Sequence, residues 1–298
     1  MTLRVSEQSR LINNINYLQT ASAQLAKIQQ QLATGRQVGI ASDDPEGTAL
    51  SLSYRNEIAF ESQMRRNIDN GMSFMNAGEA ALANATQLIQ SVRTLAVQGA
   101  SGSTSQSGLN GMAVQVDQAL QEMVQIGNST FGDAYIFGGQ KTDQPAYTTT
   151  SVAGNITGVT YQGDTGNLTR QISQQQTVEV NAVGSTVFGD VFDSMVQLRD
   201  AMRSGDTATA NSLIANFDSA LNRVLSARAA LGARTNRLQQ TETQSLSKDT
   251  DLQKLRSGIE DVDIAAATVK FTSQQNQLQA ALAAVGKTIN MSLLNFLQ

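Results

Sequence analysis

Residues 11–35 read LINNINYLQTASAQLAKIQQQLATG, and within them Leu11, Leu18, Leu25 and Leu32 recur at every seventh position. A seven-residue apolar repeat predicts a helix that packs lengthwise along another helix. A matching stripe lies at the other end of the chain. There Ile264, Phe271, Leu278 and Val285 keep the same spacing, with Leu282, Ile289 and Phe296 interleaved. Two such stripes, separated by well over two hundred residues, predict a chain that leaves, builds something, and returns to pair with its own start.

The stripes are unusual in their charge. From Leu11 to Gly35 the only charged residue is Lys27, and from Phe271 to Gln298 the only one is Lys287. Wet helix faces normally carry Glu and Lys. Faces of Gln, Asn, Ser and Thr are cheaper to desolvate against a neighbour. All eleven stripe residues are therefore candidates for a self-assembly interface. As isolated helices the stripes are expected to be weak, because helix nucleation is costly in water.

Composition excludes whole classes of chemistry. The 298 residues include no Cys, His or Trp. Thiolate nucleophiles, His-based triads and the usual zinc ligand sets are thereby impossible. Only 15% of residues are charged and the formal net charge is -4, which gives no basis for nucleic-acid or anionic-membrane attraction. No stretch reaches the ~18 apolar residues of a membrane span. Met1–Arg10 lacks the basic start and apolar block of a secretory signal.

Outward from the first stripe, residues 5–34 read as one helix closed by Gly35 at the C-cap position. In Ser42-Asp43-Asp44-Pro45-Glu46, Asp44 can cap, Pro45 fits the first turn and Glu46 suits the positive helix end. Helical spacing then runs to about Ala100, with Gly71 and Gly78 as possible bends, and a further helix fits 106–129. From Phe131 to about Asp190, Gly, Thr and β-branched residues dominate. Residues 158–161 and 168–172 predict a hairpin around 162–167, and Thr177–Asn181 predicts a strand. Val191–Arg203 returns to helix, and from Thr207 the helical pattern continues almost to the end, with Gly258 as the expected joint. The predicted fold is mainly α: a long antiparallel helical bundle or coiled-coil rod with nested N- and C-terminal helices and one small β-rich insertion. Its expected domains are a terminal coiled coil (1–40 and 259–298), a helical rod (41–130 and 190–258) and a β-rich outer domain (131–189).

Motifs suggesting chemistry are weak. Ala281–Thr288 ends like a phosphate-binding loop but lacks its first Gly and a preceding strand, so it reads as ordinary helix. The acids of Glu260-Asp261-Val262-Asp263 lack calcium-loop spacing and read as a solvated helix-start cluster. An enzyme built on them or on Asp43 and Asp44 has no pocket in the pattern. No cofactor, metal or catalytic residue is expected, and the chain reads as no enzyme.

Several stretches resemble the flagellin superfamily. They are Leu32-Ala33-Thr34-Gly35-Arg36-Gln37-Val38 with Ala41–Pro45, Arg93–Gln98, Leu231–Leu238, Ile259–Ala265 and Ser292–Leu297. Within it, Phe131–Tyr147, with its Tyr135-Ile136-Phe137-Gly138-Gly139 core, is similar to the hook-filament junction proteins (hook-associated protein 3). The resemblance implies a secreted structural component of the extracellular bacterial flagellum. It further implies a layer of copies of this chain between hook-associated protein 1 and flagellin. Export would be unfolded, through the flagellar type III channel, with a cytoplasmic export chaperone and no cleaved signal. The alternative is flagellin itself, the bulk filament subunit.

Overall fold

The computed structural model describes residues 2–296, with the side chains of Ser9 and of 12–287. In chain order the helices are α1 (Thr2–Thr34), α2 (Pro45–Ala100), α3 (Gln106–Gly127), α4 (Gly184–Phe188), α5 (Val191–Ser204), α6 (Thr207–Glu260) and α7 (Ile264–Phe296). Between α3 and α4 lie β1 (Thr130–Phe131), β2 (Ala134–Tyr135), β3 (Tyr147–Val152), β4 (Asn155–Tyr161), β5 (Thr169–Gln171) and β6 (Thr177–Glu179). The fold is mainly α with nested long helices, as the two stripes predict.

The helix starts follow the local chemistry. The Asp44 carboxylate accepts the Gly47 N–H at 2.9 Å, with Pro45 as the first helical residue. α1 closes at Gly35, whose φ of 69° is the left-handed value a C-cap needs. Gly258 is not a joint: α6 continues through it to Glu260. The break falls at 261–263, where the Asp263 carboxylate accepts the Ala266 N–H at 3.0 Å and restarts the helix.

The chain divides into two compact units, Glu61–Ser247 and the remainder at both ends. In Glu61–Ser247, α2 and α6 run antiparallel. Ser245 donates to Glu61 at 2.7 Å, Arg228 pairs with Glu79 at 2.6 Å and Arg93 with Asp218 at 2.5 Å. Ile68, Met75, Leu82, Ile89 and Ala96 of α2 recur every seventh residue and are fully buried. So do Phe217, Val224, Leu231 and Leu238 of α6. Gly71 and Gly78 do not interrupt α2, which runs unbroken from Pro45 to Ala100. A side chain at Gly71 would come within 3.1 Å of Val180 and 3.5 Å of Leu238, so these glycines admit neighbours to the helix surface. α3 packs on α5.

The β-rich stretch holds three separate antiparallel pairs, β1 with β2, β3 with β4, and β5 with β6. The expected hairpin around 162–167 is not formed. Tyr161 pairs with Tyr147 and Thr169 with Glu179. The tight turn is instead Ala153-Gly154, both with positive φ, the backbone that a two-residue hairpin loop requires. Residues 162–167 are tied elsewhere. The Asp164 carboxylate accepts N–H groups from Gln140 at 2.7 Å and Gly166 at 2.8 Å, and these bonds hold its carboxyl below the usual range. The short α4 also falls within the stretch read as β-rich.

Candidate assembly surface on the terminal helices

α1 and α7 pack on one another in antiparallel register. Arg36 bridges Asp261, and the Gln274 side chain donates to Gln24 Oε1 at 3.2 Å. On α1 the covered positions on this face are Asn14, Leu18, Ala21, Leu25, Ile28 and Leu32, with Gln31 partly covered beside them. On α7 they are Ala267, Phe271, Gln274, Leu278, Ala281 and Val285. Both series alternate steps of four and three, the seam of a coiled coil. Every seam residue is uncharged.

The seam divides the predicted interface residues. Leu18, Leu25, Leu32, Phe271, Leu278 and Val285 lie in it. Leu282 does not: it is 54% exposed, one position beyond Ala281 and therefore on the flank. Ile264, at the first turn of α7, is also exposed. The side chains of Leu11, Ile289 and Phe296 lie outside the described residues. The small residues Ala21, Ala267 and Ala281 and the amide Gln274 complete the seam. An apolar tally passes over them because each adds little hydrophobic area, although the three-and-four step does locate them.

The seam is thin. In Glu61–Ser247 the heptad residues are fully buried, whereas here Ala21 and Ala267 are buried less completely and the larger seam residues are half-buried. Flanking it is a shallow groove lined by Leu18, Ser22, Ala26, Leu278 and Leu282. Ile12, Ile15 and Tyr17 are exposed as well. Two helices joined by one thin seam bury little apolar surface per ordered residue.

Sequence reading missed the base of this pair. Glu260 is not part of a solvated cluster; it is 8% exposed. Its carboxylate accepts Arg55 Nε and Nη2, each at 2.8 Å, and the Ser51 hydroxyl. The Arg55 hydrogen bonds hold Glu260 down to about 2, outweighing burial, which pushes it up. The neighbouring acids are separately engaged: Ser257 donates to Asp261, Asp263 caps α7, and Asp43 pairs with Lys27 at 2.7 Å. Among the described residues no group of three or more acids could hold a metal. The phosphate-loop-like Ala281–Thr288 lies inside α7 and is helical throughout. Among the described residues no helix is long and apolar enough to cross a membrane.

Comparison with known proteins matches residues 5–142 to the bacterial flagellin N-terminal helical region and 214–297 to its C-terminal helical region. The 30.7 kDa flagellar filament core protein of Treponema maltophilum is 30% identical over 85% of each chain. Flagellar hook-associated protein 3 of Salmonella typhimurium is 26% identical over 98% of each. In fold, the chain is similar to flagellar hook-associated protein 3 of Legionella pneumophila, with a TM-score of 0.61 at 17% identity, covering 70% of this chain and 99% of that one.

Proposed function

This chain belongs to the bacterial flagellin family and is a structural component of the bacterial flagellum, and from that premise we propose that it forms the layer joining hook-associated protein 1 to the flagellin filament. The observation that carries this reading is the segment Phe131–Tyr147, whose residues resemble the junction-protein pattern. The segment is built into the core of its unit. Ile136 and Phe137 are buried, and the Phe137 carbonyl accepts the Tyr161 hydroxyl at 2.9 Å and the Gly184 N–H at 3.0 Å. The two glycines that follow are sterically required. A side chain at Gly138 would overlap the Lys141 carbonyl, and Gly139 has a φ of 73°. Similarity to the Salmonella hook-associated protein along nearly all of both chains supports the same reading.

In this reading copies of the chain meet through α1 and α7. The predicted interface residues Leu11, Leu18, Leu25, Leu32, Ile264, Phe271, Leu278, Leu282, Val285, Ile289 and Phe296 form the inner layer, and residues 131–189 face outward. The chain is exported through the flagellar type III channel with a cytoplasmic chaperone.

A second reading, flagellin itself, is favoured by the higher identity to the Treponema filament core protein. Seeded polymerisation separates the two. Purified chain added to filament fragments should extend them by at most a short layer, whereas growth of long fibres would establish the flagellin reading. Deletion of Asn290–Gln298 should abolish incorporation while leaving 61–247 folded.

A further inference from the structure

The connectors of the two terminal helices meet at one point. The first, after α1, passes its Gln37 N–H to the Glu260 carbonyl at 2.6 Å. The second, before α7, passes its Val262 N–H to the Gly35 carbonyl at 3.0 Å. A bridge of two backbone hydrogen bonds is marginal alone. What stands behind it is the Glu260 side chain, buried and engaged by Arg55 and Ser51 from the first turns of α2. Each connector is also tied to its own helix. Gln31 donates to the Gln37 carbonyl at 2.8 Å, Lys27 holds Asp43, and Asp263 caps α7.

We propose that Glu260 is a positioning residue that locks the two connectors together, so that α1 and α7 are held or released as one body. A buried carboxylate is tolerable only while its charged and hydroxyl donors stay in place. A small displacement of either connector strips donors from it, so the arrangement resists partial loosening. Because Glu260 ends α6 while its backbone carbonyl receives the α1 connector, neither terminal helix can shift without disturbing the other's anchor. Any consequence for assembly rests on the reading of α1 and α7 as assembly surfaces; the coupling itself does not.

Hydrogen exchange on the full-length, unassembled chain tests it. Glu260→Gln keeps the shape and removes the charge. It should speed exchange roughly tenfold, the scale of one charge-assisted hydrogen bond, at Gln37 and Val262 and along both seams (18–32 and 267–285) together. Amides of 191–204 should not change. Ser51→Ala should give the same pattern with smaller amplitude, which keeps the test open if Glu260→Gln folds poorly. The exchanged pair Arg55→Glu with Glu260→Arg should restore slow exchange. Faster exchange confined to the connectors, in one helix only, or equally across the whole chain would overturn the proposal, as would no change. If Glu260→Gln fails to incorporate into flagella while its exchange is normal, the coupling fails and the assembly reading stands.

Discussion

Arg199 is the most deeply buried charge among the described residues, 2% exposed. It reaches Asp117 of α3 at 3.0 Å and Asp200 at 2.8 Å, and donates to the Ile156 carbonyl of β4. Removing one partner of a buried pair leaves the other uncompensated. Arg199→Ala should therefore destabilise the unit by about 3–5 kcal/mol, read by denaturant unfolding. Tyr147 presents the opposite case. Its ring packs against Tyr161, Phe188 and Phe192, but its buried hydroxyl has no hydrogen-bond partner among the described residues, and burial pushes its pKa up. Tyr147→Phe should be neutral or stabilising by about 1 kcal/mol. Glu260 sets an acid limit. Its pKa, ordinarily 4.5, is held near 2 mainly by Arg55, against burial, with help from Ser51 and the charge of Arg256. A depressed carboxyl contributes stability that is present above the unfolded value and lost as pH falls through the folded one. Stability of the connector bridge should fall between about pH 4.5 and 2 in wild type, and Glu260→Gln should flatten that dependence.

At the scale of elements, one turn and one seam carry the tests. Ala153 holds a φ of 51° at the first position of the β3–β4 turn, where an L side chain costs on the order of 1–2 kcal/mol. Ala153→Gly should relieve part of that strain and raise the hairpin's exchange protection. This turn also explains why the β pairing was not legible. The expected signal there is Asn or Gly, and Ala153 hides it, so the Gly-containing stretch 162–167 carries the stronger turn signal in the sequence. The seam was legible where large side chains repeat, at Leu18, Leu25, Phe271 and Leu278. At Ala21, Ala267 and Ala281 it is legible only through the three-and-four step, because these side chains add little apolar area, and Leu282 belongs to the flank. The Glu260 site could not be read at all. An acidic run near a helix end normally faces water, and its partners Ser51 and Arg55 lie about two hundred residues away in the chain. Leu25→Asp and Leu278→Asp, by placing charge in an uncharged seam, should each abolish incorporation into flagella and leave the unfolding midpoint of 61–247 unchanged.

At the scale of the whole molecule, two helix pairings differ in how far they bury their heptads. The α2–α6 pair within Glu61–Ser247 buries its heptad residues fully. The α1–α7 pair leaves its larger seam residues partly exposed and keeps an uncharged apolar flank, the property on which the proposed assembly through these helices rests. The absence of Cys makes position-specific labelling clean. A Val152→Cys variant carries its label at the exposed end of the β3–β4 hairpin, where Val152 is 62% exposed. Electron microscopy of flagella assembled with that labelled chain is the most direct measurement. Label confined to the boundary between hook and filament is the result the junction reading predicts, and label distributed along the filament would contradict it.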